Sequence, residues 1–361
     1  MTNQTTKSTL PFLVKACLGQ QLERPPVWLM RQAGRYMKEY RVIRQKTDFL
    51  TLCKTPDLAA EVSLQPYHAF GMDAVIMFCD ILIPPEAMGL TVTFGNGGPS
   101  IDNPVRAVSD IERLVVPDPI QSMGFVTDLL QRLRKALKDD LHTALIGFSG
   151  APWTLATYMI EGGSSKNFAF IKGLMFENPK ALHQLLEKIA ETVILYLNAQ
   201  IEAGAQIVQL FDTWAGILEI SQYREFVLPY HQKIIDSLKK TGPEGDPVPV
   251  ILYVNNSRGL LPCLAEAKPT VISLDTTTSI TEARAILADT PFGTAGVLQG
   301  NIDPVALFSP PEALKPIVQD VLKAGKNTRH IVNLGHGILP PTPPENVTLL
   351  VDTVKNSAAL F

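Results

Sequence analysis

The sequence predicts an α/β fold, a single (β/α)8 barrel whose active site lies at the C-terminal ends of the strands. Short apolar runs rich in β-branched residues alternate with long amphipathic patterns about eight times along the 361 residues. The runs are nearly continuous, which is typical of parallel strands buried on both faces. Polar residues follow these runs. Eight such alternations suit a closed barrel better than an open doubly wound sheet.

The predicted strands are short runs composed mainly of Val, Ile, Leu and Phe. They cover residues 26–29, 74–79, 143–148, 206–211, 248–254, 270–274, 295–299 and 330–333.

Helices are predicted between the strands. The clearest begins at Pro179, which suits a first helical turn, ends at Gly204, and carries an apolar stripe on one face. The predicted helices cover residues 56–69, 122–139, 179–204, 219–240, 280–289, 311–324 and 344–357.

Two longer segments are predicted to be insertions after the second and third strands. Residues 92–117 are expected to include a hairpin that turns at the sequence GNGG, and residues 149–176 form the second insertion. Residues 241–249 follow a helix and precede a strand, so they are interpreted as a loop on the opposite rim and not as a linker. The whole chain, 1–361, is therefore predicted to be one barrel domain, with residues 1–8 as a flexible N-terminus.

Composition and charge exclude several classes of function. A chain that is 46% hydrophobic and 19% charged is expected to be globular. Its formal net charge of -3 gives no field that would attract nucleic acid or an anionic membrane. No apolar run reaches the ~20 residues that span a bilayer, and the N-terminus lacks the pattern of a signal or transit peptide. A cytoplasmic protein is the expectation.

Metal and cofactor signatures are missing from the sequence. Cys17, Cys53, Cys79 and Cys263 are scattered with no CxxC pair, which argues against a disulfide framework and a zinc ribbon. The histidines form none of the common zinc-binding patterns, so no metal site is predicted. No G-x-G-x-x-G follows a predicted strand, so a dinucleotide-binding fold has no support.

In a barrel of this kind, side chains that follow the strands converge on the active site. The residues at these positions include no lysine, which weakens a Schiff-base mechanism. They are Arg31, Arg35, Asp80, Ser149, Asp212, Thr213, Asn255, Asn256, Asp275, Asn301, Asp303 and His336.

Arg31 and Arg35 lie on either side of Gly34, directly after the first predicted strand. One interpretation is a solvated basic helix face. The favoured one is a pair that faces the barrel mouth and binds anions. Arginine recognises carboxylate or phosphate in a bidentate geometry, and each charge-assisted contact contributes roughly 1.5 to 3 kcal/mol. Several such contacts imply a substrate with several anionic groups. Arg41 is left without an assigned role, with a surface position as one interpretation.

Three further residues have open interpretations. Asp80 follows a strand buried on both faces, where an unpaired carboxylate costs several kcal/mol, so an ion pair with an arginine and a functional role are both possible. His336 lies between Gly335 and Gly337, which leave room for a ligand, so a polar contact or a donor role is favoured. Spacing alone does not distinguish Tyr158 from an ordinary helix residue.

Seven sequence blocks, in order from residue 26 to residue 347, carry a family resemblance. The blocks are PVWLMRQAGRYMKEYR, FCDILIPPEAMG, GFSGAPWTLATYMIEGGSSK, QLFDTWAG, VISLD, LQGNIDP and NLGHGILPPTPPENV. Together they resemble the uroporphyrinogen decarboxylase family, and the match covers nearly the whole chain. The MRQAGRY and G-x-x-G-x-P-W-T-L blocks are specific.

The resemblance implies a (β/α)8 barrel, usually a homodimer, that removes CO2 from the four acetate side chains of uroporphyrinogen III to give coproporphyrinogen III. It implies neither a metal nor an organic cofactor, and a tetrapyrrole of porphyrin biosynthesis as the substrate. The catalytic residues implied are Asp80, Arg31 and His336. The substrate-binding residues implied are Arg31, Gln32, Ala33, Gly34, Arg35, Arg44, Asp80, Tyr158, Phe211, Thr213 and His336.

The chemistry of the reaction explains these residue types. Loss of CO2 from an acetate on a pyrrole leaves a carbanion, so the ring must first be protonated, and a fixed carboxylate stabilises the resulting positive charge. Asp80 is the candidate for that role. The hypothesis for the proton donor is Arg31, or a water that it orients. His336 is the competing assignment, because arginine, with a pKa of ~12.5 or above, is a poor acid.

Two alternatives stay open beside this interpretation. A zinc-dependent corrinoid or coenzyme M methyltransferase of the same barrel superfamily would need a His-x-Cys pair and a late cysteine, whereas the last cysteine is Cys263. A non-catalytic tetrapyrrole-binding protein would bind the product tightly without releasing CO2, and the intact Asp80 argues against it.

Overall fold

The computed structural model describes residues 10–95, 98–293, 295–326 and 329–358. The N-terminus expected to be flexible and the tip of the predicted hairpin lie outside the described residues. The strands are β1 (Ala74–Ile76), β2 (Val92–Gly95), β3 (Gly98–Ile101), β4 (Ala144–Gly150), β5 (Ile207–Asp212), β6 (Val250–Val254), β7 (Val271–Ser273), β8 (Val297–Gln299) and β9 (His330–Ile331).

The main sheet has seven parallel strands in the order β1-β4-β5-β6-β7-β8-β9. Each strand pairs with the next in parallel register, beginning with Ala74 opposite Ala144. β2 and β3 form a separate antiparallel hairpin at the predicted position. The mixed α/β class and the parallel sheet are thus as the sequence predicted, but a complete barrel of eight regular strands is not observed.

A regular first strand was predicted at residues 26–29, and the structure does not have one there. This segment forms a single parallel bridge, between Val27 and Val332. On its other side, the carbonyl of Val27 accepts a hydrogen bond from the N–H of Asp73 at 2.9 Å. Pro26 has no N–H to donate, and the N–H of Val27 bonds to the carboxylate of Asp73 at 2.7 Å. A side chain therefore occupies a backbone donor that a regular strand would use in its ladder.

Helices occupy most of the segments between these strands. They are α1 (Phe12–Cys17), α2 (Lys38–Arg44), α3 (Phe49–Lys54), α4 (Pro56–Phe70), α5 (Ile83–Ala87), α6 (Val108–Arg113), α7 (Pro119–Ala136), α8 (Pro152–Glu161), α9 (Ala169–Glu177), α10 (Pro179–Glu202), α11 (Ile220–Phe226), α12 (Leu228–Ser237), α13 (Leu261–Glu266), α14 (Ile280–Leu287), α15 (Pro311–Gly325) and α16 (Pro344–Lys355). Short 3-10 helices lie at Ala215–Ile217, Arg258–Leu260 and Pro304–Phe308.

The predicted helix at residues 219–240 is two helices, α11 and α12. The break lies at Val227, whose φ of -124° and ψ of -55° are not helical. Pro229 follows in the first turn of α12. Proline lacks the N–H that a continuous helix needs, and its ring clashes with the carbonyl four residues earlier. The apolar periodicity continues through this break, which is why the sequence pattern did not reveal it.

The helices bury apolar stripes against the sheet and against each other. In α15 the buried residues Leu314, Val318 and Leu322 recur every four positions, and they pack in one apolar cluster with Val27 and Leu29. This cluster supports the segment that precedes Arg31 at the edge of the sheet. Within the described ranges, no helix combines the length and the apolar character that crossing a membrane requires.

Candidate active site

A cavity of about 380 Å³ lies at the C-terminal ends of the parallel strands. Its wall is built mainly from the ends of β1, β4, β5 and β6 and from the segments that follow β1, β4, β5 and β9, together with the loop after residue 30 and the β2–β3 hairpin. All of the expected site residues except Gln32 and Arg44 line this cavity. Those on the wall are Arg31, Ala33, Gly34, Arg35, Asp80, Tyr158, Phe211, Thr213 and His336.

Arg31 is held in a left-handed backbone conformation, with a φ of 61°. For a residue other than glycine, such a conformation costs on the order of 1 to 3 kcal/mol and is found most often at functional sites. The side chain of Arg31 lies directly against Gly337, because a Cβ placed on Gly337 would stand 2.4 Å from its Cδ. Glycine at position 337 therefore makes room for the arginine.

The positive charge of Arg31 acts on four titratable groups around the cavity. Burial has the largest influence on the pKa of each of them, and the charge of Arg31 works to lower each pKa. The four groups are Asp80, Tyr158, Tyr253 and His336. Arg31 is therefore the common electrostatic neighbour of the polar part of the site.

Asp80 lies just after β1 and is partly exposed to the cavity. Its Oδ1 accepts a hydrogen bond from the N–H of Leu82 at 2.8 Å, a local turn that holds the carboxylate in place. Burial raises the pKa of Asp80 to about 6, although the hydrogen bond from Leu82 and the charge of Arg31 work in the opposite direction. Among the described residues, no cation lies within ion-pair distance of Asp80. The structural ion pair considered for this aspartate is not formed.

His336 presents a neutral imidazole to the cavity. Its Nδ1 accepts a hydrogen bond from the N–H of Gly337 at 2.8 Å, so the ring proton is on Nε2. Burial lowers the pKa of His336, and Arg31 lowers it further, while Asp275 works to raise it. The ring packs edge to face with Tyr253, with the ring centres 6.4 Å apart. A neutral hydrogen-bond donor therefore lines the same cavity as the carboxylate of Asp80.

Tyr158 and the end of β5 form a further part of the cavity wall. The ring of Tyr158, on α8, packs against Trp214, with the ring centres 6.3 Å apart. Burial raises the pKa of Tyr158, so its hydroxyl stays protonated. Phe211 packs against Tyr253 with the ring centres 6.0 Å apart, and Thr213 lies two residues further on, again on the cavity wall. This wall supplies hydroxyl groups on an aromatic surface.

Gln32 does not line the cavity. Its side chain is fully buried, donates to the carbonyl of Ala74 at 2.9 Å and accepts from the N–H of Leu29 at 3.0 Å. These two bonds tie the arginine loop to β1. Arg41, which had no assigned role, donates to the carbonyls of Arg35 and Tyr36, both at 2.9 Å. Gln32 and Arg41 thus shape the loop that carries Arg31 and Arg35.

Arg44 also lies off the cavity wall. Its guanidinium donates to the carbonyl of Thr47 and lies 5.8 Å from the ring centre of Phe49. Phe49 itself lines the cavity. In this conformation Arg44 supports a wall residue from behind.

Within the described residues, no group of three or more His, Cys, Asp or Glu side chains is arranged to hold a metal ion. The cysteines are unpaired thiols, and burial raises the pKa of Cys79, next to Asp80, to about 12.

Comparison with known proteins identifies the family. A family model described as "Uroporphyrinogen decarboxylase (URO-D)" matches residues 10–357. A protein named uroporphyrinogen decarboxylase from Myxococcus xanthus is 48% identical over 342 residues, covering 95% of both chains. Another of that name, from a Synechococcus species, is 46% identical over 340 residues, covering 94% of both. The chain belongs to the uroporphyrinogen decarboxylase family.

The fold is shared more widely than the family. A solved structure of a methyltransferase from Methanosarcina mazei superposes with a TM-score of 0.80 at 21% identity, covering 96% of this chain and 98% of that one. At this identity the likeness concerns the fold alone.

In this member of the uroporphyrinogen decarboxylase family, sequence reasoning did not identify the apolar side of the cavity. Several aromatic residues lie there, and Phe94, from the β2–β3 hairpin, packs on Phe49 of α3 with the ring centres 4.7 Å apart. Neither position follows a strand of the main sheet, so the strand-end rule could not find them. The aromatic wall residues outside the predicted set are Tyr36, Tyr40, Phe49, Phe78, Phe94, Phe148 and Tyr253.

Other polar residues expected at the strand ends have structural contacts instead. Asp275 is buried and accepts the N–H groups of Ser257 and Thr277, both at 2.6 Å. Asn301 donates to the carbonyl of Asp275 at 2.7 Å. These bonds join the loops after β6, β7 and β8. They show that a polar residue at a strand end can hold the rim without lining the cavity.

Proposed function

We propose that this chain catalyses the cofactor-independent decarboxylation of the four acetate side chains of uroporphyrinogen III to give coproporphyrinogen III and CO2. Membership of the family, with relatives of that name at 46% to 48% identity over nearly the whole chain, supports this activity. The observation that carries it is Asp80, a carboxylate without an ion-pair partner among the described residues, beside the charge of Arg31 in an aromatic-lined cavity.

The substrate fits the chemistry of the cavity in two respects. Its carboxylate side chains match Arg31 and Arg35, which are exposed at the rim. Its apolar macrocycle matches the aromatic wall around Phe49 and Phe94. The hydroxyls of Tyr158 and Thr213 add hydrogen-bonding groups, while Ala33 and Gly34 keep the backbone close to the substrate.

The reaction requires transient positive charge on a pyrrole ring. A proton adds to a ring carbon, and the bond between the acetate methylene and its carboxylate then breaks, releasing CO2 and sending the electron pair into the ring. Protonation of the methylene carbon and loss of the proton first added to the ring give the methyl product. Each turn of the cycle consumes one proton for each CO2.

Asp80 acts in this scheme as the anion that stabilises the protonated ring. With a pKa of about 6 it is mostly ionised at neutral pH. A unit charge about 4 Å from the cationic ring, at an effective dielectric near 20, contributes about 4 kcal/mol. That corresponds to roughly three decades in rate. The carboxylate oxygens also accept the pyrrole N–H groups.

Two residues are available for proton delivery. His336 is neutral with its proton on Nε2, so it can hydrogen-bond a water that delivers the proton, whereas donating its own proton would require the imidazolium form that its lowered pKa disfavours. Arg31 is the alternative, through a water that it orients. Gln32 and Arg44 act indirectly: Gln32 holds the arginine loop, and Arg44 packs against the aromatic wall.

The decisive experiment is anaerobic incubation with uroporphyrinogen III, followed by oxidation and chromatography of the porphyrins. Coproporphyrin and the partly decarboxylated intermediates are expected. Their absence under conditions where a characterised enzyme converts the same substrate would overturn the proposal. A tetrapyrrole carrier would retain the substrate unchanged, so the same chromatogram excludes or supports that alternative.

The finer structural expectations belong to the same proposal. We infer that residues 26–30 complete an eight-membered barrel, supported by their hydrogen bonds to Asp73 on one side and Val332 on the other. The whole chain then acts as one domain in the cytoplasm. It acts as a homodimer, and light scattering of the purified protein would test this oligomeric state. The methyltransferase alternative is not favoured, because the similarity to a methyltransferase is limited to the fold.

A further inference from the structure

Asp212 lies between two cavity residues but does not reach the cavity itself. Side chains alternate along a strand, so Phe211 and Thr213 share one side at the end of β5 while Asp212 points the other way. Phe211 and Thr213 line the cavity, and Asp212 is fully buried, with an exposed fraction of 0%. A carboxylate in such a place requires several hydrogen-bond donors.

The donors come from two different parts of the chain. Oδ1 of Asp212 accepts the N–H of Thr154 at 2.9 Å and its hydroxyl at 2.6 Å. Oδ2 faces Nε2 of His231, on α12, at 2.8 Å. The carboxylate is therefore held from the α8 side by Thr154 and from the outer helices by His231.

Thr154 connects this carboxylate to the helix that carries Tyr158. It lies in the first turn of α8, one helical turn before Tyr158. Its hydroxyl oxygen also accepts the N–H of Trp214 at 3.0 Å. A further backbone bond, from the N–H of Ala151 to the carbonyl of Phe211 at 2.9 Å, joins the start of α8 to the end of β5. The residues beside Thr213 and the first turn of the helix that carries Tyr158 are thus joined through one buried carboxylate.

His231 is itself oriented by Tyr223, on α11. The Nδ1 of His231 is 3.0 Å from the hydroxyl of Tyr223, and both residues have an exposed fraction of 0%. Burial raises the pKa of Tyr223 far above its usual range, so its hydroxyl stays protonated. The carboxylate of Asp212 accepts, so Nε2 of His231 carries a proton and donates it, while the Tyr223 hydroxyl bonds the other ring nitrogen. The chain of contacts runs from Tyr223 through His231 and Asp212 to the cavity wall.

We propose that His231 and Tyr223 are positioning residues for the decarboxylation, acting through Asp212 and Thr154 to hold the hydroxyls of Thr213 and Tyr158 against the substrate. This inference rests on the proposed function for its kinetic consequences. The geometric part concerns only residues of this chain and is tested separately.

The test uses three variants and a matched control. His231→Leu removes the donor to Asp212, and its kcat/KM is expected to fall up to about a hundredfold, the size associated with small misplacements of site groups. His231→Gln keeps an amide donor for Asp212 and should recover most of that loss. Tyr223→Phe removes only the hydroxyl, at nearly constant volume, and an intermediate loss is expected.

The control is Tyr230→Phe, on the same helix as His231. Tyr230 also bonds to a histidine, with its hydroxyl 2.8 Å from Nδ1 of His183, but that pair does not contact Asp212. Its kcat/KM is expected to stay within twofold of the wild-type value. An equal loss in Tyr230→Phe and Tyr223→Phe would mean that the effect reflects packing of the outer helices, and the proposal would be wrong.

A double-mutant cycle separates positioning from general stability. If Tyr223 acts through Thr213, Tyr223→Phe should cost much less kcat/KM in a Thr213→Val background than in the wild type. The same cycle is run in a Tyr158→Phe background, and a fold-loss equal to that in the wild type in both backgrounds would overturn the proposal. Because Tyr223→Phe changes a single oxygen, this cycle remains available if His231→Leu does not fold.

Crystal structures of Tyr223→Phe and Tyr230→Phe provide a readout that does not depend on activity. A displaced or rotated side chain at Thr213 or Tyr158 is expected in Tyr223→Phe only. Unmoved side chains at both positions would reject the inference even if the wild-type enzyme decarboxylates uroporphyrinogen III. Conversely, an inactive wild-type protein would reject the proposed function while the displacement still supported the positioning role.

Discussion

Asp73 directly precedes β1 and Asp80 lies in the segment that follows it, and of the two only Asp73 is ion-paired. Both oxygens of Asp73 contact the guanidinium of Arg24 at 2.8 Å, whereas no described cation is within ion-pair distance of Asp80. Burial works to raise the pKa of Asp73, but hydrogen bonds from Arg24 and His142 and the charge of Arg24 lower it overall. Burial raises the pKa of Asp80. The same residue type is therefore structural at one end of the strand and available for chemistry at the other.

Replacing Asp80 with Asn should abolish most turnover. The amide has nearly the same shape but cannot stabilise a cationic ring as a carboxylate does, so a loss of about a thousandfold in kcat is expected. Binding of uroporphyrin, measured by fluorescence quenching, should weaken much less. Normal CO2 release by Asp80→Asn would exclude the proposed role of this residue.

The same variant should be more stable than the wild type at neutral pH. Folding raises the pKa of Asp80 from 3.8 to about 6, so the ionised side chain destabilises the folded state above pH 6. The penalty is relieved as the pH falls from about 6 towards 4, where the folded state takes up the proton. A difference of this size corresponds to on the order of 3 kcal/mol as an upper limit. Urea unfolding of both proteins at pH 7.5 and pH 4.5, values chosen to lie on either side of about 6, should show a gain only at the higher pH.

Activity should fall on the acid side of neutrality. Because the active form of Asp80 is the carboxylate and its pKa is about 6, kcat/KM should decrease as the pH drops through that value. Burial and the charge of Arg31 lower the pKa of His336, so its titration should add no limb on the alkaline side. Anaerobic rates measured in steps across about pH 5 to 8 would test this. A rate that stays constant down to pH 5 would contradict it.

Asp73→Asn should have the reverse pattern of effects. Removing one partner of a buried ion pair leaves the other charge uncompensated, so a loss of about 3 kcal/mol in the free energy of unfolding is expected. The activity of the folded fraction should change little, because Asp73 is at the end of β1 away from the cavity. Asp320→Asn is the control, since Asp320 pairs with Lys323 on an exposed helix face. Equal unfolding midpoints for the two variants would show that the Arg24 pair is not important for stability.

Gly337→Ala should displace Arg31 without removing its charge. The new Cβ would stand 2.4 Å from Cδ of Arg31, which is too close for any real contact, so the side chain must move. We expect kcat/KM to fall at least tenfold, with little change in the unfolding temperature. Gly259→Ala is a matched control, because nothing lies within 4 Å of a Cβ at that position. Equal kinetics for the two variants would show that the position of Arg31 is not critical.

Predictions of helices and strands were confirmed where the signals that determine the structure lie within the segment itself. The helix predicted at residues 179–204 is observed at Pro179–Glu202, because proline at its start and the apolar stripe are local signals. Residues 26–29 have the apolar pattern of a strand but do not form a regular one, because side chains bind backbone N–H groups that a strand would use in its ladder. The N–H groups of Leu29 and Met30 bond to the side chains of Gln32 and Asn333. No local pattern reveals such competition between side chains and a ladder.

Prediction of the site followed a similar division. The sequence by itself determined which polar residues follow the strands, and the family blocks indicated Arg31, Asp80 and His336 among them, because motif and strand order are both written along the chain. Only the tertiary structure decided which of these polar groups share a cavity and which hold the rim. Asp212 and Asp275 follow strands just as Asp80 does, yet both are buried against helices and loops from distant parts of the chain. Whether a carboxylate meets donors or a cavity depends on what packs beside it, and packing partners are fixed by contacts between segments far apart in the sequence.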